Sequence, residues 1–259
     1  MNHDWPLILT FHHVHESDSS RYVVSVRRLT RLLDRLAREG FSAITLAEAL
    51  ASGPAGDGSA APRTYTITFD DALESFGRLA LPILAERDLA EKTTLFVPTG
   101  MVGGRNSWSD EPTTLQRLMP WHEVDEAIMG WDAIAEAAAA GVAIESHGHE
   151  HIKMDRSSYD DVLADARASR DALLAHGYDS RLFCLPYGWH SPEAKRAIAE
   201  AGFDAAFSVK WGGTDRYDIR RIPVYGTDSA VTTRLKLSGR YFEAFDFAAR
   251  LAGKKRYRR

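Results

Sequence analysis

Two patterns of apolar and polar positions take turns along the chain. Short β-rich apolar runs occur at Pro6–Phe11, Phe41–Leu46, Thr64–Phe69, Thr93–Val97, Val142–Glu145, Arg181–Leu185 and Phe203–Val209, with Ile222–Val224 as a further candidate. Each has the length of a buried strand. Longer segments with a helical period lie between them. The clearest is Val26–Arg38, where Leu29, Leu32, Leu33 and Leu36 share one face and Gly40 supplies the stop. Further helices are predicted at Ala47–Ala51, Ala72–Arg87, Trp131–Ala140, Ser158–Ala175 and Pro192–Ala201, and at Thr232–Leu251 with a break near Gly239. Ser52–Pro62 reads as a loop from its Gly, Ala, Ser and Pro content. Residues 98–130 hold no sustained period and read as a long loop, a length often tied to function.

Repeated strand–helix units predict an α/β fold with a mainly parallel sheet and helices outside. No linker divides the chain, so residues 1–252 are expected to form one barrel-like (β/α) domain, followed by a basic tail at 253–259. In such barrels the chemistry gathers at the C-terminal strand ends. His12 and His13 end the first predicted strand, Asp70 and Asp71 another. His147 follows a third, and Pro186-Tyr187-Gly188 a fourth. Every candidate group lies at the same end.

Composition changes this picture little. Of 259 residues, 44% are hydrophobic and 26% charged, enough for a substantial core. The net charge of −4 gives no basic footprint for nucleic acid. The Lys254–Arg259 run reads as a solvated tail, with weak contact to anionic lipid or an acidic partner as the minority reading. One cysteine, Cys184, allows neither an intrachain disulfide nor a zinc site built on several cysteines. The opening MNHDWPLILTFHHVHES has no basic n-region and too short an apolar run for a signal peptide. No stretch reaches the roughly 18 apolar residues of a membrane span. The expectation is a cytoplasmic protein.

Three motifs can carry chemistry. In Thr68-Phe69-Asp70-Asp71, two carboxylates follow an apolar strand, where one could bind a metal and the other act as base. The alternative is an N-cap for the next helix. Ser146-His147-Gly148-His149-Glu150-His151 places three of the chain's ten histidines within five residues. In a helical turn the i, i+4 pair His147 and His151 would share a face suited to zinc or a similar ion. In an extended segment all three would share a side; Gly148 argues for the turn. The third motif, Phe183-Cys184-Leu185-Pro186-Tyr187-Gly188, lets backbone approach a ligand, and an N–H there could stabilise an oxyanion.

Taken in order, these motifs resemble the polysaccharide deacetylase family, also called carbohydrate esterase family 4 or the NodB homology domain. The resemblance is strongest from Thr64 to Val209. It implies a distorted (β/α) barrel and a divalent metal, commonly zinc. By motif position it implies Asp70 as general base, Asp71, His147 and His151 as metal ligands, and the Tyr187 N–H as oxyanion donor. The sequence departs from the family in three places. Ala72 replaces a glycine, and Cys184, read as a buried strand residue, replaces an arginine that orients the base. The C-terminal Leu-x-His that supplies an acid histidine is missing, since no histidine follows His190.

Leu9-Thr10-Phe11-His12-His13-Val14 resembles the opening segment of the permuted branch that includes poly-N-acetylglucosamine deacetylases. In that branch the acid histidine comes first, which implies His12 as the general acid. Arg220 or Arg221 is the candidate to replace the absent arginine. His122, Trp121, Trp108, Trp189, Trp211 and His190 are weaker candidates for the cleft, and His176 reads as a complement to a helix dipole. The expected activity is metal-dependent removal of N-acetyl from an amino sugar or glycan. With no export signal, a small, nucleotide-linked or lipid-linked sugar is favoured as substrate. Hydrolysis of a formyl or O-acetyl group, and an inactive carbohydrate-binding relative, are the rival readings. Retention of both Asp70 and Asp71 argues against the inactive one.

Overall fold

The strands that carry the site are short and almost wholly buried, as their continuous apolar runs require. A computed structural model describes residues 5–17, 20–53, 63–106, 125–209, 215–239 and 241. The strands are β1 (Leu7–Phe11), β2 (His13–His15), β3 (Val23–Ser25), β4 (Ser42–Ala43), β5 (Thr64–Phe69), β6 (Thr93–Val97), β7 (Ala143–Ser146), β8 (Leu182–Cys184), β9 (Ala205–Ser208), β10 (Ile219–Arg220) and β11 (Ile222–Pro223). The α-helices are α1 (Val26–Arg38), α2 (Leu46–Ser52), α3 (Leu81–Ala85), α4 (Trp131–Ala139), α5 (Tyr159–Ala175), α6 (Pro192–Glu200) and α7 (Ala230–Leu237).

Nine strands form one parallel sheet in the order β10-β9-β8-β7-β6-β5-β1-β11, with β4 also on β5. A single stretch of chain closes it into a barrel. Ile219 and Arg220 pair with Phe207 and Ser208 at one edge, and Ile222 and Pro223 with Leu9 and Thr10 at the other. Arg221, between the two pairings, donates its N–H to Ser208 O at 2.9 Å. The expected barrel is present, distorted by this tight closure. β2 and β3 form a separate two-stranded ladder.

The helices pack outside on their apolar stripes. Leu29, Leu32, Leu33 and Leu36 of α1 are buried, and Ser25 caps its start by accepting the Arg28 N–H. α5 begins in a capping box between Ser158 and Asp161. The helix expected at Ala72–Arg87 starts later and is irregular. Asp71 and Ala72 have left-handed backbones, and a π-helical turn at Phe76–Ala80 precedes α3. Pro82 lies four residues beyond Arg78 and cannot donate to it, a cause of such bulges. The strand expected at Phe41–Leu46 shrinks to β4, because Leu46 already begins α2 behind a Thr45–Glu48 capping box. α7 ends at Leu237, and Gly239, where a break was expected, is left-handed. The continuation to Leu251, the 253–259 tail, Trp108, Trp121, His122 and Trp211 lie outside the described residues. Among the described residues no helix is long and apolar enough to cross a membrane.

Candidate active site

The parallel sheet delivers the strand-end residues to one mouth, as its topology demands. A cleft there is lined by His12, Asp70, Asp71, His147, His151 and Tyr187, with Tyr22, Trp189 and Tyr225 on its walls. Its volume of ≈ 130 Å³ is small beside the roughly 300–1,000 Å³ of pockets that bury a whole drug-sized ligand. It suits one substituent of a larger substrate.

Asp71 sits directly after β5 in a left-handed conformation, φ 72°. That turn brings its carboxylate towards the loop after β7. Asp71 Oδ1 lies 3.2 Å from His147 Nε2 and 3.4 Å from His151 Nε2. All three residues are buried, and their ligand atoms lie within 4.8 Å of one another. Asp71 Oδ1 itself accepts no hydrogen bond, an uncommon condition for a buried carboxylate oxygen. Tetrahedral ligands about 2.0–2.2 Å from an ion stand roughly 3.3–3.5 Å apart, so the observed separations fit a zinc-class ion. His147 Nδ1 is 2.9 Å from the Cys184 carbonyl. Donation there leaves Nε2 as the nitrogen that could hold an ion.

Burial and neighbouring charges act on all three groups. Burial would raise the Asp71 carboxyl, but the His147 and His151 imidazoles hold it well below the usual range. Burial draws the His151 imidazole down. His147 is also pressed downward by burial, yet Cys184 and the Asp71 and Asp70 carboxyls lift it well above its ordinary value.

The loop that carries both histidines is held from below. Asp165, on the buried face of α5, accepts the N–H of His149 at 3.0 Å and of Glu150 at 2.7 Å. Ser146 Oγ accepts the Gly148 N–H at 3.1 Å. Gly148 has φ 79°, and a Cβ there would stand 2.8 Å from Asp165 Oδ2. Only glycine fits without displacing the clamp. The segment bends at His149 and Glu150 without forming the helical turn that Gly148 suggested, because Gly148 and His151 are left-handed, and it still brings His147 and His151 together. His149 points elsewhere, with Nδ1 2.9 Å from Thr99 Oγ1.

Asp70, beside the triplet, faces Arg221. Nη1 donates to Oδ1 and Nη2 to Oδ2, both at 2.7 Å, a two-pronged pairing. Burial alone would raise the Asp70 carboxyl, and the guanidinium brings it below its ordinary value. Arg221 also donates to Thr68 Oγ1 and Cys184 Sγ, each at 3.0 Å. Of the two arginines offered by the sequence, Arg221 is the one that meets Asp70. It arrives from the closure between β10 and β11 and reaches over the position held by Cys184. That cysteine is a buried strand residue whose thiol is pushed up by burial.

His12 Nε2 lies 3.7 Å from Asp70 Oδ2, with the side chain 21% exposed to the cleft. Burial draws its imidazole below the ordinary value, against the pull of the Asp70 and Asp71 carboxyls. His13 turns away to Glu126, at 2.7 Å. Tyr187 occupies a 3-10 turn with φ 61°, a strained conformation for a bulky residue. Its ring packs against His151, with centroids 4.7 Å apart. His190 is not among the cleft residues, and its Nε2 is 3.9 Å from Asp218 Oδ2. His176 Nδ1 donates to Ala172 O, 2.9 Å away at the end of α5, and its ring stacks on Trp131. Asp165, Tyr22 and Tyr225 were not singled out from sequence. A polar residue on the apolar stripe of α5 was the only available sign of Asp165.

The polysaccharide deacetylase family profile matches residues 57–206, more than half of the chain. That span contains Asp70, Asp71, His147, His151 and Tyr187 and stops short of His12 and Arg221. No curated protein sequence matches the chain. Among solved structures, IcaB from Ammonifex degensii superposes with a TM-score of 0.71 at 22% identity, covering 92% of this chain and 97% of its own. The Streptococcus pyogenes deacetylase PplD, in complex with acetate, gives 0.71 at 18% identity, over 90% and 98%. The deacetylase domain of BpsB from Bordetella bronchiseptica gives 0.62 at 19%, over 86% and 97%. At these identities the likeness carries the fold.

Proposed function

The chain belongs to the polysaccharide deacetylase family, and we propose that it hydrolyses the N-acetyl amide of an amino sugar or glycan with a divalent metal, most simply zinc. The observation that carries this reading is the triplet Asp71, His147 and His151 beside the Asp70–Arg221 pair. Two acidic groups with different partners imply two different tasks. A zinc-class ion held by Asp71, His147 and His151 would polarise the acyl carbonyl and make water more acidic.

The chain's own residues supply the rest. Asp70, aligned by the Arg221 fork, takes a proton from the attacking water. The water oxygen bonds to the carbonyl carbon, and the Tyr187 N–H donates to the oxyanion that forms. His12 then gives a proton from Nε2 to the departing nitrogen, the carbon–nitrogen bond breaks, and acetate and a free amine result. The Asp70 and Asp71 carboxylates favour the protonated imidazole that this donation requires, against the opposing pull of burial. Tyr22 and Trp189, both partly exposed at the cleft, offer rings to a sugar.

The test is acetate release from N-acetylated sugars and oligosaccharides, set against formyl and O-acetyl analogues, with and without chelator. Release from the N-acetyl compounds that chelator abolishes supports the reading. Preference for an O-acetyl ester or a formyl amide would replace it with the corresponding acyl hydrolase. Binding of sugars without any turnover would point to a carbohydrate-binding relative.

A further inference from the structure

Away from the cleft, a second set of ligating side chains converges. His13 and His15 are alternate residues of β2, so their side chains leave the same side of the strand. His13 Nδ1 and His15 Nε2 lie 2.7 and 3.1 Å from one atom, Glu126 Oε2. The three ligand atoms fall within 4.8 Å of one another. The glutamate is fixed before any ion arrives. Its other oxygen accepts the Ser75 N–H at 2.6 Å, and its own N–H donates to Asn106 Oδ1 at 2.7 Å. Ser75 Oγ in turn accepts the Val14 N–H, at 3.2 Å, from between the two histidines.

We propose that His13, His15 and Glu126 form a second divalent-cation site, of the zinc class, distinct from the Asp71 triplet. Two imidazoles and one carboxylate are a zinc donor set. His13 is buried and His15 is 35% exposed, so water can reach the open coordination position. Ligand atoms around zinc stand roughly 3.3–3.5 Å apart. The His15 contact is near that, and the His13 contact must open by about 0.6–0.8 Å.

The site would brace the catalytic cleft. His13 follows His12 directly. Glu126 belongs to a segment stitched to the chain just after Asp71: Met129 donates to Ala72 O at 2.8 Å, Glu74 donates to Ala127 O at 2.9 Å, and Leu73 bridges Ile128. An ion at this point would tie the stretch next to His12 to the segment that is hydrogen-bonded to the residues following Asp71.

The experiment is zinc stoichiometry by metal analysis after dialysis, on the full chain and on Asp71→Ala, His15→Gln and the double variant. Two equivalents, one, one and none are expected, in that order. Saturating zinc should also raise the melting temperature of Asp71→Ala, by about 5–10 °C at a hundredfold excess over Kd, and leave the double variant unmoved. If Asp71→Ala does not fold, wild type against His15→Gln still decides, as two equivalents against one. Equal stoichiometry in wild type and His15→Gln overturns the proposal, and the cluster is then a hydrogen-bonded brace. A single wild-type equivalent lost in His15→Gln but kept in Asp71→Ala supports this site and overturns the metal reading of the cleft.

Discussion

Replacing Arg221 with methionine tests how much of the site depends on one buried ion pair. Arg221 is fully buried, and Asp70 is 2% exposed. Methionine fills much of the same space but leaves the carboxylate in the barrel without its cation. Removing one partner of a buried pair costs about 3–5 kcal/mol. Two charge-assisted bonds at 2.7 Å place this pair in that range. Domain stabilities are about 5–15 kcal/mol, so the variant should fold with a reduced margin. At this chain length the loss corresponds to roughly 6–20 °C in melting temperature. Asp70→Asn combined with Arg221→Met removes the stranded charge, so the double variant should be more stable than additivity predicts, by about 1–3 kcal/mol. Arg221→Lys keeps the charge, loses the fork and should fall between. Urea denaturation of the wild type, Asp70→Asn, Arg221→Met and the double variant gives the cycle, with Arg221→Lys alongside and turnover measured on each. A cost below about 1 kcal/mol for Arg221→Met, or strictly additive losses, would refute the reasoning.

Three further outcomes follow from the same geometry. Asp70→Asn should retain zinc at wild-type affinity while turnover falls about 10²–10⁴-fold; near-normal activity would assign the base elsewhere. His12→Ala should slow an unactivated amide far more than an acetyl ester with a good leaving group, since that ester departs without a proton, and equal losses would remove His12 from the acid role. Gly148→Ala should cost about 1–3 kcal/mol and weaken metal binding, because φ 79° strains any other residue and the new Cβ meets Asp165 Oδ2; unchanged melting temperature and zinc affinity would show that the clamp is not needed.

The elements most legible in the sequence were those with long, regular patterns. Thr64–Phe69, Thr93–Val97 and Val26–Arg38 coincide with β5, β6 and α1, because continuous apolar runs and a four-leucine stripe leave little choice. Two- and three-residue ladders such as β2, β3 and β10 contain no full period, and they were missed. The departure at Ala72–Arg87 coincides with Pro82 and with the left-handed Asp71 and Ala72, a conformation that no sequence pattern marks. The resemblance of the motifs to the deacetylase family led to Asp71, His147 and His151, which the structure brings within 4.8 Å of one another. The choice between Arg220 and Arg221 could not be made from sequence. Strand alternation sends only one of them inward, and which one depends on the register with β9 and β1. The His13–His15–Glu126 cluster joins residues more than a hundred positions apart, and no local pattern announces it.

The most direct test of the central claim is reconstitution. The protein is stripped with chelator, and acetate release from an N-acetylated amino-sugar oligomer is followed as zinc is added back, for wild type and for His147→Ala. The account predicts no release without metal, recovery in the wild type as the Asp71 triplet fills, and no recovery in the variant at any zinc concentration that leaves it folded. Undiminished acetate release from metal-free wild type, or full recovery in His147→Ala, would contradict it.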